Sequence, residues 1–249
     1  MEWRRADGVE WLEARLPDAH VAFTTRAGGV SQAPYDRLNL GILTKDDRRS
    51  VLENRRRLAA ALGHEPQQIA IGRQVHGAEL AVHAGPQSPS WFAQPGDGIP
   101  AVDGHVVVEP GLAALVFVAD CLPVALAGPG GVAMLHCGWR GLAAGIVARG
   151  AAAIGATDAA IGPGIGPCCY SVGEEVLGAF AGLGDGVAAG RMLDLTAAAR
   201  RLLREAGVQR VAAAGLCTSC EQNRFFSHRR DAGRTGRQAG LVWLDGEAG

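Results

Sequence analysis

The stretch LAALVFVADCLPVALA, residues 112–127, decides how this chain folds. It is the longest apolar run, and Asp120 and Pro123 interrupt it. With those breaks it is too short to cross a bilayer. It reads instead as two buried strands, 113–118 and 124–127. Outward from it lie further short strand candidates: 20–25, 69–75, 79–83 and 105–108 before it, and 132–136, 211–216 and 241–244 after it. β-branched residues and flanking turn formers support each of them.

Helices are fewer. Asp47 caps a helix that runs to Leu62 and stops at Gly63, with Val51, Leu58 and Leu62 on one face. Residues 139–154 read as a Gly/Ala-rich helix and 174–180 as a short one. Asp194 caps a helix to Ala206 that Gly207 closes. Strands outnumber helices and do not alternate strictly with them. The expected class is therefore α+β with mixed sheets, not a doubly wound parallel sheet. No long linker or internal repeat divides the chain, so one domain is expected over 1–249, with its core at about 20–245. Residues 85–100 and 181–190 read as loops within it.

Composition narrows the function. Hydrophobic residues make up 48% of the 249, enough for a substantial core, and the formal charge is −1. No basic field exists to hold a nucleic-acid backbone. Lys45 is the one lysine against 23 arginines, so an anion site must use guanidinium or backbone N–H groups. The first sixteen residues lack the apolar core of a secretory signal. No membrane association is expected, and the expected compartment is the cytoplasm. The six cysteines (121, 137, 168, 169, 217 and 220) then read as free thiols or metal ligands, not a disulfide scaffold.

Three apolar strands run into polar residues and then turn formers: Gly72-Arg73-Gln74-Val75-His76-Gly77, Val118-Ala119-Asp120-Cys121-Leu122-Pro123 and Met134-Leu135-His136-Cys137-Gly138-Trp139-Arg140-Gly141. Strand ends are rigid and the turns open to solvent. His76, Cys121 and His136 would form an N₂S set that zinc accepts, with a fourth position open. The alternative is an inert buried thiol beside ordinary histidines, since 44 and 14 intervening residues match no compact zinc motif. Cys217-Thr218-Ser219-Cys220 is a lone C-x-x-C, which without a second pair is weak evidence for a structural zinc or a redox pair, and the adjacent Cys168 and Cys169 read as packing residues. Gly162-Pro163-Gly164-Ile165-Gly166-Pro167 has neither P-loop nor dinucleotide spacing, and its prolines remove N–H donors. It reads as a turn forming a site wall. Arg26, Arg140 and Arg229 follow or open such turns and suit a phosphate or carboxylate. Zincin, hydrolase-elbow and cytidine-deaminase signatures are missing. No His-x-His occurs among the seven histidines, which argues against multicopper chemistry.

Taken in order, Gln74-Val75-His76-Gly77, Ala119-Asp120-Cys121-Leu122-Pro123, His136-Cys137-Gly138-Trp139-Arg140-Gly141, 162–170, Phe226-Ser227-His228-Arg229-Arg230-Asp231 and Thr235-Gly236-Arg237-Gln238 resemble the YfiH family, also called the multicopper polyphenol oxidase or laccase-domain family. The likeness runs from about Phe23 to Trp243, and His228 stands where an aromatic Tyr is more usual. It implies a single domain built on a β-sandwich with helices outside. It implies one zinc, in preference to copper, held by His76, Cys121 and His136. The implied activity is phosphorolysis of adenosine, inosine, guanosine and 5′-methylthioadenosine, with deamination of adenosine; the partners are purine nucleosides and phosphate. Phosphorolysis needs an anion pocket, which Arg26, Arg140 and Arg229 would supply. Deamination needs an activated water at the purine C6 and a proton carrier, for which Asp120 is the first candidate; its other reading is to orient a metal ligand. A different reading makes Cys121 a nucleophile with His136 or His76 as base, in an amide hydrolase of peptidoglycan precursor editing. A third is a metal-stabilised binding module.

Overall fold

The run 112–127 turns a corner between two sheets. The computed structural model describes residues 1–87 and 90–246. In chain order it contains β1 (Glu2–Ala6), β2 (Val9–Leu16), β3 (Ala19–Thr24), α1 (Arg48–Ala61), β4 (Ile69–Ala70), β5 (Leu80–His83), β6 (Gly104–Val107), β7 (Ala113–Val118), β8 (Leu122–Gly128) and β9 (Gly131–Cys137). There follow α2 (Trp139–Ala143), α3 (Ile146–Ile154), β10 (Asp158–Ile161), α4 (Glu174–Phe180), β11 (Ala188–Ala189), β12 (Met192–Leu193), α5 (Leu195–Glu205), β13 (Arg210–Ala213) and β14 (Gln238–Leu244).

One six-stranded sheet has the order β1-β2-β3-β14-β7-β4, the other β13-β10-β8-β9-β6-β5, and β11 pairs β12 separately. Both large sheets are mixed: β4 runs parallel to β7, β5 to β6 and β13 to β10. The expected α+β class with mixed sheets is what the structure has, and the sheets stack as a sandwich with helices outside.

Period-two alternation sets the layers. Along β8, Leu122, Val124 and Leu126 meet the helices, while Ala125 and Ala127 meet the first sheet. Along β7, Ala114, Val116 and Val118 face the second sheet, while Ala113 and Leu115 face outward. That outer face is covered by Leu58 and Ala59 of α1 with Leu38, Leu40 and Phe92. The far face of the second sheet is covered by Leu142, Ile146, Val147 and Ala151 of α2 and α3 and by Leu195, Ala199 and Leu203 of α5. The central strands of both sheets are thus buried on both faces, which is why the sequence shows unbroken apolar runs as well as alternation.

The caps fall where expected. The Asp47 carboxylate accepts from Ser50 N and the Asp194 carboxylate from Ala197 N. Four expectations change. The helix expected over 139–154 is two helices, because Gly145 takes φ +85° and breaks the ladder. The strand expected over 69–75 stops at Ala70: Arg73 N bonds Pro100 O, and the next N–H groups turn to a carboxylate. The N-terminal β1–β2 hairpin was missed despite its Asp7-Gly8 turn, whose φ values of 48° and 84° suit a two-residue hairpin loop. Finally, Gly164 bridges Cys217 in parallel, so the vicinal cysteines and the C-x-x-C come together instead of serving separately. The loop reading of 85–100 holds for its described residues; 88 and 89 lie outside them. Of 181–190, Ala188–Ala189 is strand. No described helix is long and apolar enough to cross a membrane.

Candidate metal centre

Strand register builds the centre at one end of the second sheet. Leu122 pairs Cys137, and Pro123 pairs His136, so Cys121 lies one residue beyond the ladder, opposite Gly138. Gly104 pairs Leu135, which places Asp103 beside His136; His136 N bonds Asp103 O at 2.7 Å. His76 arrives on the loop after β4. The ligand atoms of His76, Cys121 and His136 all lie within 4.8 Å of one another. The two imidazole centroids are 4.8 Å apart at 67°.

The convergence of the three expected ligands depends on Asp103, which the sequence reading passed over. Its side chain is fully buried. Oδ1 accepts from His76 N at 2.9 Å and lies 2.7 Å from His136 Nδ1; Oδ2 accepts from Val75 N at 2.9 Å and Gly77 N at 2.8 Å. Three successive N–H groups therefore wrap one carboxylate. That wrapping holds His76 at φ +61°, a backbone that a non-glycine residue adopts only when its surroundings impose it. It also leaves His136 Nε2 free to face the metal position. Burial works to raise the Asp103 pKa, but the bonds from His136, Gly77 and Val75 hold it below the ordinary carboxylate value.

Cys121 and His136 are electrically matched. Burial would keep the thiol neutral, yet the His136 charge and hydrogen bonds from His136 and His76 bring it down to about 6. Burial would also discharge His136, but Cys121 and Asp103 push it up to about 9. A thiolate in this setting is a ready metal ligand. His136 is buried while His76 is exposed, so the set opens to solvent on the His76 side.

Gly138 keeps the pocket clear. A Cβ there would sit 2.9 Å from Cys121 Sγ and 3.3 Å from His76 Cδ2. Gly138→Ala is expected to leave the melting temperature within a few degrees of wild type and to weaken metal binding about 10-fold or more, as displaced ligand geometry does. Competition with a chromogenic chelator checks this.

The other expected site residues divide. Asp120, at φ +89°, accepts from Thr218 Oγ1 at 2.7 Å on Oδ1 and from Arg229 N at 2.6 Å on Oδ2. It thereby pins two distant segments beside Cys121. Arg140 stacks on Trp139, and Arg229 stacks on Tyr170 while donating to Ser171 O. Arg229 and Arg140 both act on Tyr170, as do Cys121 and Asp120; burial first, then the Cys121 charge, pushes this phenol up to about 12. Arg26 does not join them. It pairs with Asp36 at 2.7 Å, donates to Gln222 O and stacks on Phe226, and its charged surroundings are Asp36, Arg37, Arg230 and Asp231. It lines a separate depression of about 700 Å³ with Pro34 and Arg234. Tyr170 and Arg237 were missed as site residues. Arg237, its pKa lowered by burial, feels both Cys121 and Asp120 and sits in the quoted motif 235–238. His228 is exposed against Gly233, so the departure there does not touch the ligands.

A two-sheet α+β domain with a His–Cys–His set at the end of one sheet defines the class of protein. The chain belongs to the laccase-domain family: the family model described as multi-copper polyphenol oxidoreductase laccase matches residues 20–245. It is 42% identical over 244 residues to a protein of Streptomyces coelicolor named purine nucleoside phosphorylase, covering 91% of this chain and 96% of that one. It is 43% identical over 253 residues to a purine nucleoside phosphorylase of Deinococcus radiodurans, covering 96% and 94%. Among solved structures it superposes on YlmD from Geobacillus stearothermophilus with a TM-score of 0.86 at 33% identity, covering 98% of each chain.

Proposed function

We propose that this protein is a zinc-dependent purine nucleoside phosphorylase, acting on adenosine, inosine, guanosine and 5′-methylthioadenosine, and that it also deaminates adenosine. The observation that carries the reading is the meeting of His76, Cys121 and His136 within 4.8 Å, in a chain about 40% identical to proteins of that name. The donor set fits zinc: two imidazoles and a thiolate, with the bare Gly138 leaving room beside the sulfur. Bound there, zinc would supply Lewis acidity on the solvent-facing side. A multicopper centre would need many more histidines than converge here.

In phosphorolysis a phosphate oxygen attacks C1′, the C1′–N9 bond breaks, and the purine leaves with the electron pair and takes up a proton. Arg229 lies over Tyr170 and Arg140 over Trp139, both act on the Tyr170 phenol together with Cys121, and both are assigned to phosphate. Arg237, buried and near enough to feel Cys121 and Asp120, adds positive charge. Trp139 and Tyr170 offer aromatic faces for the purine. Asp120 is assigned as proton carrier for deamination, and it also positions the 218 and 229 segments. Arg26 is left out of this pocket because Asp36 and Gln222 hold its guanidinium. Six free thiols support a cytoplasmic location.

One observation favours a second reading. Asp103, His136 and Cys121 lie in line as acid, imidazole and thiol, the order of a cysteine hydrolase. Such an enzyme would cleave amides of peptidoglycan precursors. Metal retained through purification opposes it, and alkylation of Cys121 with loss of amide cleavage supports it.

The test is chromatographic product analysis with adenosine, with and without phosphate, against Cys121→Ala prepared identically. Adenine released by the wild type only when phosphate is present is the expected result. Inosine formed without phosphate is the deamination arm. Equal inactivity of the two proteins overturns the nucleoside reading.

A further inference from the structure

Of the five cysteines that the centre described above does not use, Cys137 is buried in the core and the other four come from two distant parts of the chain. Cys168 and Cys169 follow Pro167 in a turn closed by Cys169 N to Gly166 O at 3.0 Å. Cys217 and Cys220 open and close the C-x-x-C turn that follows β13. The two turns are laced together: Gly164 bridges Cys217, and Thr218 N bonds Gly164 O at 2.9 Å. All four sulfurs lie within 4.8 Å of one another, with Cys220 Sγ 3.5 Å from both Cys168 Sγ and Cys169 Sγ.

That spacing has a specific meaning. Zinc–sulfur bonds of about 2.3 Å in a tetrahedron put sulfurs about 3.8 Å apart. Adjacent cysteines in a strand point to opposite faces and cannot share an ion. In the turn at 167–169 they can, and here their sulfurs converge on the same partner. The cradle is shaped to the sulfurs as well. Gly166 N–H donates to Cys217 Sγ at 3.2 Å, and a Cβ on Gly166 would crowd Cys217 and Cys168 Sγ at 3.2–3.5 Å. Arg230 donates to Thr218 O and Ser219 O and so braces the C-x-x-C turn.

We propose that Cys168, Cys169, Cys217 and Cys220 form a second metal site, a four-thiolate site that holds one zinc ion and is structural. A closed set of four protein ligands leaves no position for substrate. Its place in the fold says what it supports. Cys169 precedes Tyr170, and Thr218 lies between the paired cysteines and donates to Asp120. The ion would clamp the turn carrying Tyr170 to the loop that holds Asp120, fixing one wall of the catalytic pocket without entering it.

The test separates this site from the other by removing the other. Full-length Cys121→Ala, purified with zinc present and reductant throughout, is expected to retain one zinc per chain by elemental analysis. The triple variant C121A/C217S/C220S is expected to retain none. Cobalt exchanged into Cys121→Ala should bind at one equivalent, with intense sulfur-to-cobalt charge-transfer absorption. Thiol titration of the zinc-loaded Cys121→Ala should find four thiols protected until an organomercurial releases the ion. If the triple variant does not fold, the zinc and thiol counts on Cys121→Ala still decide. Absence of zinc from Cys121→Ala, four immediately reactive thiols, or disulfides among these cysteines by mass would overturn the proposal, and so would iron in place of zinc. These readouts do not depend on nucleoside turnover, so the catalytic reading can fail while this one stands.

Discussion

Cys121→Ala is expected to lower phosphate-dependent adenine release at least about a thousandfold, a loss of about 4 kcal/mol of transition-state stabilisation. The side chain supplies the one thiolate of the His76–Cys121–His136 set, and its removal leaves two imidazoles that face an open pocket. The fold should survive. Cys121 stands at a corner between sheets, outside the β8–β9 ladder, and losing one small, half-buried side chain costs little packing. Steady-state kinetics, elemental analysis and circular dichroism on the same preparation check the three parts together. One zinc fewer per chain, an unchanged fold and lost turnover are the expected set. Full activity with unchanged metal content would remove Cys121 from the centre.

Asp103→Asn is expected to have the largest effect on the fold and metal site jointly. Each carboxylate oxygen of Asp103 meets two N–H groups. An amide places an NH₂ against one of those pairs, so donors face donors in a fully buried position. Breaking a buried charged network in this way costs about 3–5 kcal/mol, and losing the group that orients a metal-binding histidine lowers affinity about 10–100-fold. Urea unfolding and zinc competition measure the two effects. The acid limb of stability should change as well. A carboxyl held below its unfolded value contributes stability above that value and loses it as pH falls through the lower folded one. The wild type should therefore lose stability on acidification where Asp103→Asn, already deprived of the term, falls less steeply. A variant with wild-type urea midpoint and zinc affinity would refute the positioning role.

Local sequence signals located most elements. Asp47, Asp194 and Gly207 mark helix ends that the structure keeps, because capping is settled within four residues. The β1–β2 hairpin also has a local signal, the Asp7-Gly8 turn. The break at Gly145 was harder: a glycine in a Gly/Ala-rich helix is tolerated in many settings, and its left-handed backbone follows from how α2 and α3 pack. Residues 71–75 carry a strand-like pattern, yet Ile71 N–H goes to the Gln87 side chain, Arg73 N–H to Pro100 O and Val75 N–H to Asp103, all later in the chain.

The same division runs through the site. His76, Cys121 and His136 were legible as strand-end ligands, and the family motifs quoted with them sharpened the reading. Asp103 carries no motif; it stands before β6, and only the β6–β9 register brings it beside His136. Arg26 looked equivalent to Arg140 and Arg229, but Asp36 claims it. The cysteine pairs 168–169 and 217–220 each looked weak alone and gain meaning only when joined.

By itself, the sequence determined the strands 113–118 and 132–136 almost to the residue, the α+β class and the candidate ligand residues, because alternation, caps and side-chain chemistry are local properties. Tertiary structure alone decided that 112–127 crosses between two sheets, that Asp103 binds three backbone amides and a histidine, and that four cysteines share one corner. A hydrophobic pattern records that a face is buried but not what buries it, and a ligand set drawn from distant segments exists only once strand register has fixed which ends meet.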